Sequence, residues 1–194
     1  ESGLTDGQVT STTPYQAISL PAGSWYGCGQ SSASRINGGF VMTSTAPGYN
    51  IFGESFHLFE APKTTTSFVC TSFRMPYEWD GSSIGFQVIW HTTGTSGNMQ
   101  NKLMAWSLGG VSVSSGSSIY TAVPSSVTVF SAFSSTNTDI YTPQSTGYNI
   151  VGTPSPGNKV KLFLNAGGGG FPGLPRMTDV LIWYRKAIWD GRLR

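Results

Sequence analysis

The chain has 194 residues, of which 10% are charged and 13% aromatic, and its formal net charge is +2. This balance excludes an intrinsically disordered chain, which needs many charges and few aromatic rings. It also argues against a nucleic-acid partner, which requires Lys and Arg clustered on one face. No apolar run approaches the roughly 18 residues of a membrane helix, so we expect no membrane insertion.

The beginning of the chain differs in composition from the remainder. Roughly the first 35 residues are rich in Gly, Ser, Thr and Pro and alternate weakly between polar and apolar positions. We therefore predict an extended N-terminal arm or linker over 1–35, followed by one domain over 36–194. A length near 200 residues suits a β-sandwich that forms a single domain.

The remainder of the chain predicts short strands separated by turns. Helical periodicity is nearly absent, and period-two alternation recurs. In chain order, the predicted strands lie at 39–43, 51–60, 67–74, 84–91, 103–108, 118–122, 127–133, 147–151, 159–164 and 180–186. Turn signals lie at 46–48, 80–81, 94–98, 109–110 and 154–158. This pattern predicts an all-β, two-sheet antiparallel β-sandwich, with jelly-roll topology as the leading candidate.

The last predicted strand is apolar on both of its faces. Its residues alternate between Val180, Ile182 and Tyr184 on one face and Leu181, Trp183 and Arg185 on the other. A strand of this kind is usually covered on both sides. The second sheet provides one cover, and we expect the N-terminal arm or another subunit to provide the other.

The chain has two cysteines, Cys28 and Cys70. Alternation over 67–74 places Phe68 and Cys70 on one face, and we expect both to point inward. A lone buried thiol and a Cys28–Cys70 disulfide both remain open at this point. His57 and His91 lack the spacing of a zinc site, so neither a metal nor a cofactor is expected.

No motif in the sequence assigns a catalytic residue. The glycine-rich segment 166–173 lacks the Gly-Lys-Ser/Thr ending of a phosphate loop and is predicted to be a surface loop. Glu54 and Glu60 lie about 20 Å apart on one predicted strand, at about 3.3 Å per residue, too far for a glycosidase pair. Glu78 and Asp80 flank a turn. A glycan-degrading enzyme is retained only as an alternative.

Aromatic residues near turns are the better indication of function. A ring outside the core can anchor an interface or stack on a sugar, although ordinary packing onto the ends of the sandwich is the alternative. His91, at a strand end, is expected to face solvent or a neighbour. The candidate binding or interface residues are Trp25, Tyr26, Tyr49, Tyr77, Trp79, His91 and Trp183.

Several motifs follow one another along the chain: the Arg74-Met75-Pro76-x-x-Trp79-Asp80-Gly81 turn, the strand at 84–90, the segment 92–98, the strand start Gly157-Asn158-Lys159-Val160, and the aromatic final strand at 179–184. In this combination they resemble jelly-roll-like modules in virion proteins of tailed bacteriophages. Asn158 stands where these modules usually have Asp, and the glycine-rich loop replaces a polar, acid-bearing connection. The resemblance implies a role on the particle surface, commonly as an oligomer, and transfers no catalytic residue.

These observations lead to three expectations about function. The first is a non-enzymatic virion module, a homotrimer or similar oligomer, that docks to a capsid or tail through its arm and strand faces. Its partners would be copies of itself and virion proteins. The second is a carbohydrate-binding module that holds a neutral glycan, such as a host receptor, on its loop aromatics. The third is the glycan-degrading enzyme. The expected location is the virion surface or, without the resemblance, outside the cell.

Overall fold

A computed structural model of the chain describes residues 15–27, 41–43, 58–60, 67–92, 102–113, 125–134, 139–167 and 175–187. The strands in this part are β1 Tyr15–Pro21, β2 Tyr26–Gly27, β3 Val41–Thr43, β4 Leu58–Glu60, β5 Ser67–Arg74, β6 Gly85–Thr92, β7 Leu103–Val113, β8 Ser126–Ala132, β9 Ile140–Tyr141, β10 Lys159–Gly167 and β11 Pro175–Arg185. A 3-10 turn at Ala22–Ser24 is the one helical element described. None of the described residues forms a helix that could cross a membrane.

The strands form two antiparallel sheets with jelly-roll connectivity. In sheet 1 the order is β3-β4-β11-β6-β9, and β1 also pairs with β11; in sheet 2 it is β2-β5-β10-β7-β8. From β4 onward the chain passes repeatedly from one sheet to the other. The two interleaved four-strand orders that result, β4-β11-β6-β9 and β5-β10-β7-β8, are those of a jelly roll. The predicted all-β sandwich is confirmed.

Alternating apolar residues from both sheets form the core. The inward sets of β6, β10 and β11 are almost fully buried, as their alternation predicts: Phe86, Val88, Trp90, Val160, Leu162, Leu164, Val180, Ile182 and Tyr184. Between the sheets the Trp90 and Trp106 rings lie 6.3 Å apart, and Trp90 Nε1 donates to Ser131 Oγ at 2.8 Å. Because the side chains alternate, the opposite sets of the same strands face outward.

The glycine pair at 109–110 is not a turn. The structure places both residues inside β7, opposite Phe163 and Leu162 of β10. A Cβ atom at Gly110 would lie 2.8 Å from Leu162 Cδ2. The Tyr148 hydroxyl accepts from the Gly110 N–H at 2.8 Å and donates to its carbonyl oxygen at 3.0 Å. Close packing therefore requires glycine here, and tertiary contacts override the local turn signal.

Part of the predicted N-terminal arm belongs to the sandwich. Strand β1 pairs with β11 along its whole length, and β2 pairs with β5. Ser19 Oγ donates to Asp179 Oδ2 at 2.6 Å, which fastens β1 to the last strand. The remainder of 1–35, the predicted strand at 118–122 and the turn signals at 46–48 and 94–98 lie outside the described residues.

Cys70 points away from the core. Its neighbour Val69 belongs to the main core, whereas Cys70 forms a separate cluster with Val111 and Phe163 on the outer face of sheet 2. The prediction that Cys70 points inward is therefore wrong. The sequence left a lone thiol and a disulfide open, and the structure has the disulfide, since Cys70 is disulfide-bonded. The single other cysteine in the sequence, Cys28, lies outside the described residues.

Candidate functional site

The two tryptophans predicted at turns are core residues. Trp25 is 2% exposed and Trp79 is 3% exposed. The Trp25 indole N–H donates to the Leu20 carbonyl oxygen at 3.0 Å, and Trp79 forms a β-bridge with Lys186. Neither ring is accessible to a ligand in this structure. Both rings instead pack loops onto the sandwich, which is the alternative that the sequence left open.

The tyrosine candidates are exposed but lie apart from the groove described below. Tyr26 is 47% exposed and Tyr77 is 82% exposed. The Tyr77 ring lies against Gly157, where an added Cβ atom would come within 2.6 Å of Tyr77 Cε1. Tyr77 therefore packs on the turn that precedes β10. Tyr49 lies outside the described residues.

Of the two environments expected for His91, solvent or a neighbour, the structure shows the second, since the side chain is buried beside Asp139. It is 5% exposed, and its Nδ1 atom lies 3.7 Å from Asp139 Oδ1. Burial lowers the pKa of His91, an effect that the Asp139 carboxylate opposes and that the charge of Arg176 reinforces. The strand end is therefore covered, and His91 is a packed residue of sheet 1.

Trp183 is the predicted candidate that lines a groove. The groove has a volume of about 610 Å³. It lies on the outer face of sheet 1, where the starts of β1 and β6, the end of β11 and the segment 142–148 meet. We call it the Trp183 groove. Its lining residues are Tyr15, Ser82, Ser83, Ile84, Gly85, Gln144, Ser145, Gly147, Trp183 and Arg185.

Two aromatic rings give the groove its apolar surface. Trp183 is half-buried, and its Nε1 atom is buried with no hydrogen-bond partner among the described residues. The exposed surface of its side chain therefore consists of carbon atoms. Tyr15, on the same face, is 54% exposed and pairs across the strands with Arg185. The alternation of β11 dictates this arrangement, because inward Ile182 and Tyr184 force Trp183 and Arg185 outward.

A glycine beside Trp183 keeps the groove open. The cross-strand partner of Trp183 on β6 is Gly85, whose added Cβ atom would lie 3.2 Å from Gln144 Nε2. A side chain there would compete with Gln144 for space and fill the groove next to the indole ring. Glycine at this position therefore leaves room beside the indole ring and lets the Gln144 side chain lie close to the strand.

The segment 142–148 supplies one polar wall through an irregular pairing with β6. Pro143 cannot donate to a strand ladder, and neighbouring hydroxyls complete the pairing instead. Thr142 Oγ1 accepts from Val88 N–H at 2.9 Å, and Ser145 Oγ accepts from Phe86 N–H at 2.9 Å. Gln144, between these two anchors, lines the groove.

Arg185 provides the positive charge of the groove. Its Nε atom lies 3.4 Å from Asp80 Oδ2, and its carbonyl oxygen accepts from Asp80 N–H at 3.1 Å. Asp80 Oδ1 in turn accepts from Ser82 N–H at 2.8 Å. The Trp79-Asp80-Gly81 turn, in which Gly81 has a φ of +81°, therefore positions the arginine.

The described lining of the groove includes aromatic, hydroxyl and amide groups and one cation. Among the described residues no carboxylate lines it, and no group of metal ligands occurs. A general acid needs a raised pKa, yet the Glu78 pKa is lowered by a hydrogen bond from its own backbone and by one from the Tyr184 hydroxyl. Asp80 is occupied with Arg185, and Glu54 lies outside the described residues.

Of the ten described residues that line the groove, sequence reasoning predicted Trp183 and missed the other nine. Arg185 could have been found, because it shares a face of the last strand with Trp183. Tyr15 and Gln144 carry no such signal, since they come from distant segments that meet only after β1 pairs with β11 and residues 142–148 pair with β6.

The comparisons with known proteins concern the fold. A scan against protein-family profiles and a search of curated proteins both find no match. Among solved structures, the xylan-binding module CBM15 is similar at 10% sequence identity and a TM-score of 0.49, over 89% of this chain and 99% of that one. A chain from infectious bursal disease virus, Gx strain, is similar at 12% identity and a TM-score of 0.37, over 93% of this chain and 34% of that one.

The order of its strands shows that the protein is a jelly-roll-like β-sandwich. The virus protein does not come from a bacteriophage. The likeness to modules of tailed bacteriophages rests on sequence motifs alone. Those motifs have structural roles here: Asp80 accepts from Ser82 N–H, and Asn158 Oδ1 accepts from Ser155 N–H at 2.9 Å. The Asn at this position closes its turn as an Asp would.

Proposed function

We propose that this protein is a non-catalytic glycan-binding module and that the Trp183 groove is its binding site. One observation carries the proposal: the exposed carbon face of Trp183 lies in a groove of about 610 Å³ among hydroxyl and amide groups. This volume falls within the range of roughly 300–1,000 Å³ that is typical of ligand sites.

Sugars match this surface for a physical reason. A pyranose ring has an apolar face of C–H groups, which can pack on an indole ring, and a rim of hydroxyl groups. Gln144 and Ser82 line the groove where such hydroxyls would need hydrogen-bond partners. Because cross-strand pairing and the 142–148 segment already fix the groove, little ordering would oppose binding.

Other features are consistent with this role. The chain has few charges and many hydroxyl side chains, which suits a surface that meets polar ligands. Disulfides persist mainly in oxidising environments, so the disulfide at Cys70 supports a location outside the cell. Hydrolysis of a glycosidic bond would need a pair of carboxyl groups beside the sugar, which the described lining of the groove lacks.

A glycan array followed by calorimetry tests the proposal. We expect binding to a subset of glycans and a loss of at least tenfold in affinity for Trp183→Ala, about 1.4 kcal/mol. Tyr77→Ala is the matched control, since Tyr77 is an aromatic residue, 82% exposed, that does not line the groove. Silence across the array, or equal affinities for both variants and the parent, would exclude this function.

A second candidate function is assembly on a virus particle. Strand β8 is the last strand of sheet 2 in the described part of the chain. It presents Phe130, 55% exposed, diagonally across from Leu103, 53% exposed, on β7. An exposed apolar strand at a sheet edge is a template for pairing with another chain, and we propose a second copy of this protein as the occupant. The sequence resemblance to bacteriophage modules supports the same role.

Light scattering across a concentration series tests assembly. We expect an oligomer, such as a trimer, that dissociates in the double variant Leu103→Arg, Phe130→Arg. The corresponding control is Tyr77→Arg, which adds a charge at an exposed aromatic residue away from this edge. A strict monomer at high concentration that also fails to bind virus particles would dismiss the assembly role and leave glycan binding untouched.

A further inference from the structure

The charge of the Trp183 groove is one-sided. Of its described lining residues, Arg185 carries a positive charge and none carries a negative one. The Arg185 side chain is 51% exposed, so a ligand can reach it. A neutral sugar would satisfy the aromatic and polar walls but would leave this cation unused.

Asp80 contacts the guanidinium group of Arg185 along one edge only. Asp80 Oδ2 lies 3.4 Å from its Nε atom. Asp80 is itself fixed through Oδ1, which accepts from Ser82 N–H at 2.8 Å. A guanidinium group has five N–H donors in a planar fork, and the described residues give the two Nη groups of Arg185 no partner. The Asp80 contact therefore orients the fork and leaves donors for a second acceptor.

A planar carboxylate is the acceptor that best matches such a fork. Arginine binds carboxylates through two parallel N–H···O bonds, and these charge-assisted bonds are stronger than neutral ones. Trp183 and Arg185 are two residues apart on one strand face, which places their Cα atoms about 7 Å apart. A sugar ring stacked on Trp183 thus brings a carboxylate on that same ring within reach of Arg185.

We propose that the Trp183 groove selects an acidic sugar, with the ring stacked on Trp183 and its carboxylate bound by Arg185. The ligand class is a glycan that contains a uronic or sialic acid residue. Asp80 is a positioning residue that acts through Arg185. This inference rests on the proposed glycan-binding function and adds the chemical class of the ligand.

Calorimetry with two matched ligand pairs tests the inference on the unmodified protein. One pair is a galacturonic acid oligomer and its methyl ester, which differ chiefly in charge. The other is sialyllactose and lactose. We expect at least one acidic member to bind tenfold or more tightly than its neutral partner, and this preference to weaken as salt is raised, because exposed charges are screened.

Variants separate the roles of the residues. Arg185→Gln is expected to abolish the preference for the acidic member while neutral binding persists, and Arg185→Lys to restore part of it. Asp80→Glu keeps the negative charge but displaces the carboxylate that orients Arg185, so it should reduce the ratio of acidic to neutral affinity, a readout that a general loss of folding would not produce. Lys159→Gln, which removes an exposed cation from sheet 2, should leave that ratio unchanged.

The outcomes distinguish this inference from the function on which it rests. Equal affinity for acidic and neutral members, with both lost in Trp183→Ala, would overturn the acidic-sugar assignment and leave glycan binding in place. Tight binding of a sulfated but not a carboxylated sugar would overturn it as well. Failure of every glycan to bind would overturn both.

Discussion

The outer faces of the two sheets share one arrangement of side chains but differ in how far its aromatic residue is buried. In each, an outward aromatic residue faces a glycine across the strands: Phe163 faces Gly109 in sheet 2, and Trp183 faces Gly85 in sheet 1. Phe163 is nevertheless 7% exposed, whereas Trp183 is half-buried and lines the groove.

The neighbour on the other side of each aromatic residue decides the difference. Phe163 pairs with the disulfide-bonded Cys70 on β5 and lies beneath the Lys161 ammonium group, which is 5.1 Å from its ring centre. Trp183 pairs with Ala17 on β1, a small residue, and its side chain remains partly exposed. One pairing closes a separate apolar cluster, and the other leaves part of the aromatic side chain accessible in the groove.

The largest loss of stability is expected from charges placed in the core between the sheets, because both outer faces depend on that core. Val88 and Leu162 are fully buried. Val88→Asp or Leu162→Asp would bury an unpaired carboxylate and cost more than about 5 kcal/mol, the margin of many domains. Lys159→Asp, on the exposed side of β10, should change the free energy of unfolding by about 0.5 kcal/mol or less. Cooperative melting of the buried variants near the parent temperature would refute the assigned strand faces.

The comparison between the two aromatic residues can be measured directly. Phe163→Ala is expected to destabilise the protein by about 3–5 kcal/mol, because it empties a buried site. Trp183→Ala should cost less, about 0.5–3 kcal/mol, since part of that side chain already contacts solvent. Urea unfolding of both variants gives the two values. If Trp183→Ala costs as much as Phe163→Ala, the Trp183 ring is a structural residue and the contrast between the sheets disappears.

The disulfide should matter for stability and not for binding. Cys70→Ala is expected to lower the free energy of unfolding by about 2–4 kcal/mol, while the Trp183 groove on the opposite sheet keeps its affinity. Thiol titration of the denatured, unreduced parent should find no free thiol, in agreement with a bonded Cys70. Two free thiols per chain would contradict the structure of the sheet 2 cluster.

The smallest predicted effect is on the pH dependence of stability and concerns Tyr184, whose side chain faces inward beside Trp183. Its hydroxyl lies 2.8 Å from Gln16 Oε1 and 3.0 Å from Glu78 Oε1, and its single proton can be donated to one of these acceptors at a time. Burial, and then the hydrogen bond to Glu78, raise the pKa of Tyr184 from 10.0 to about 12. The folded state therefore keeps a proton that the unfolded chain loses, so this contribution is complete below pH 10 and is lost as the pH rises toward 12.

Melting curves over this alkaline range test the assignment. The decline in melting temperature between pH 10 and 12 should be shallower in Tyr184→Phe than in the parent. Absorbance titration should show one late-titrating tyrosine fewer in the variant. An equal decline in both proteins would mean that Tyr184 does not carry this pH dependence.

The class of fold and the faces of its long strands follow from the sequence. Alternation in β6, β10 and β11 is a local property, and a buried sheet requires it, so the pattern by itself places Val88, Leu162 and Ile182 inside. The same alternation turns Trp183 outward. It also misplaces Cys70, because Ser67–Arg74 is apolar on both faces and the pattern does not state which face meets the core.

Only the tertiary structure decided which aromatic residues are buried and which form a site. Trp25 and Trp79 stand in turn-like sequence yet are covered, and the glycines at 109–110 look like a turn yet lie in a strand. Burial depends on neighbours that are remote in the chain, as Tyr15 is from Arg185. Periodicity determines the direction in which a side chain points, but the strands that pair beside it determine whether anything covers it.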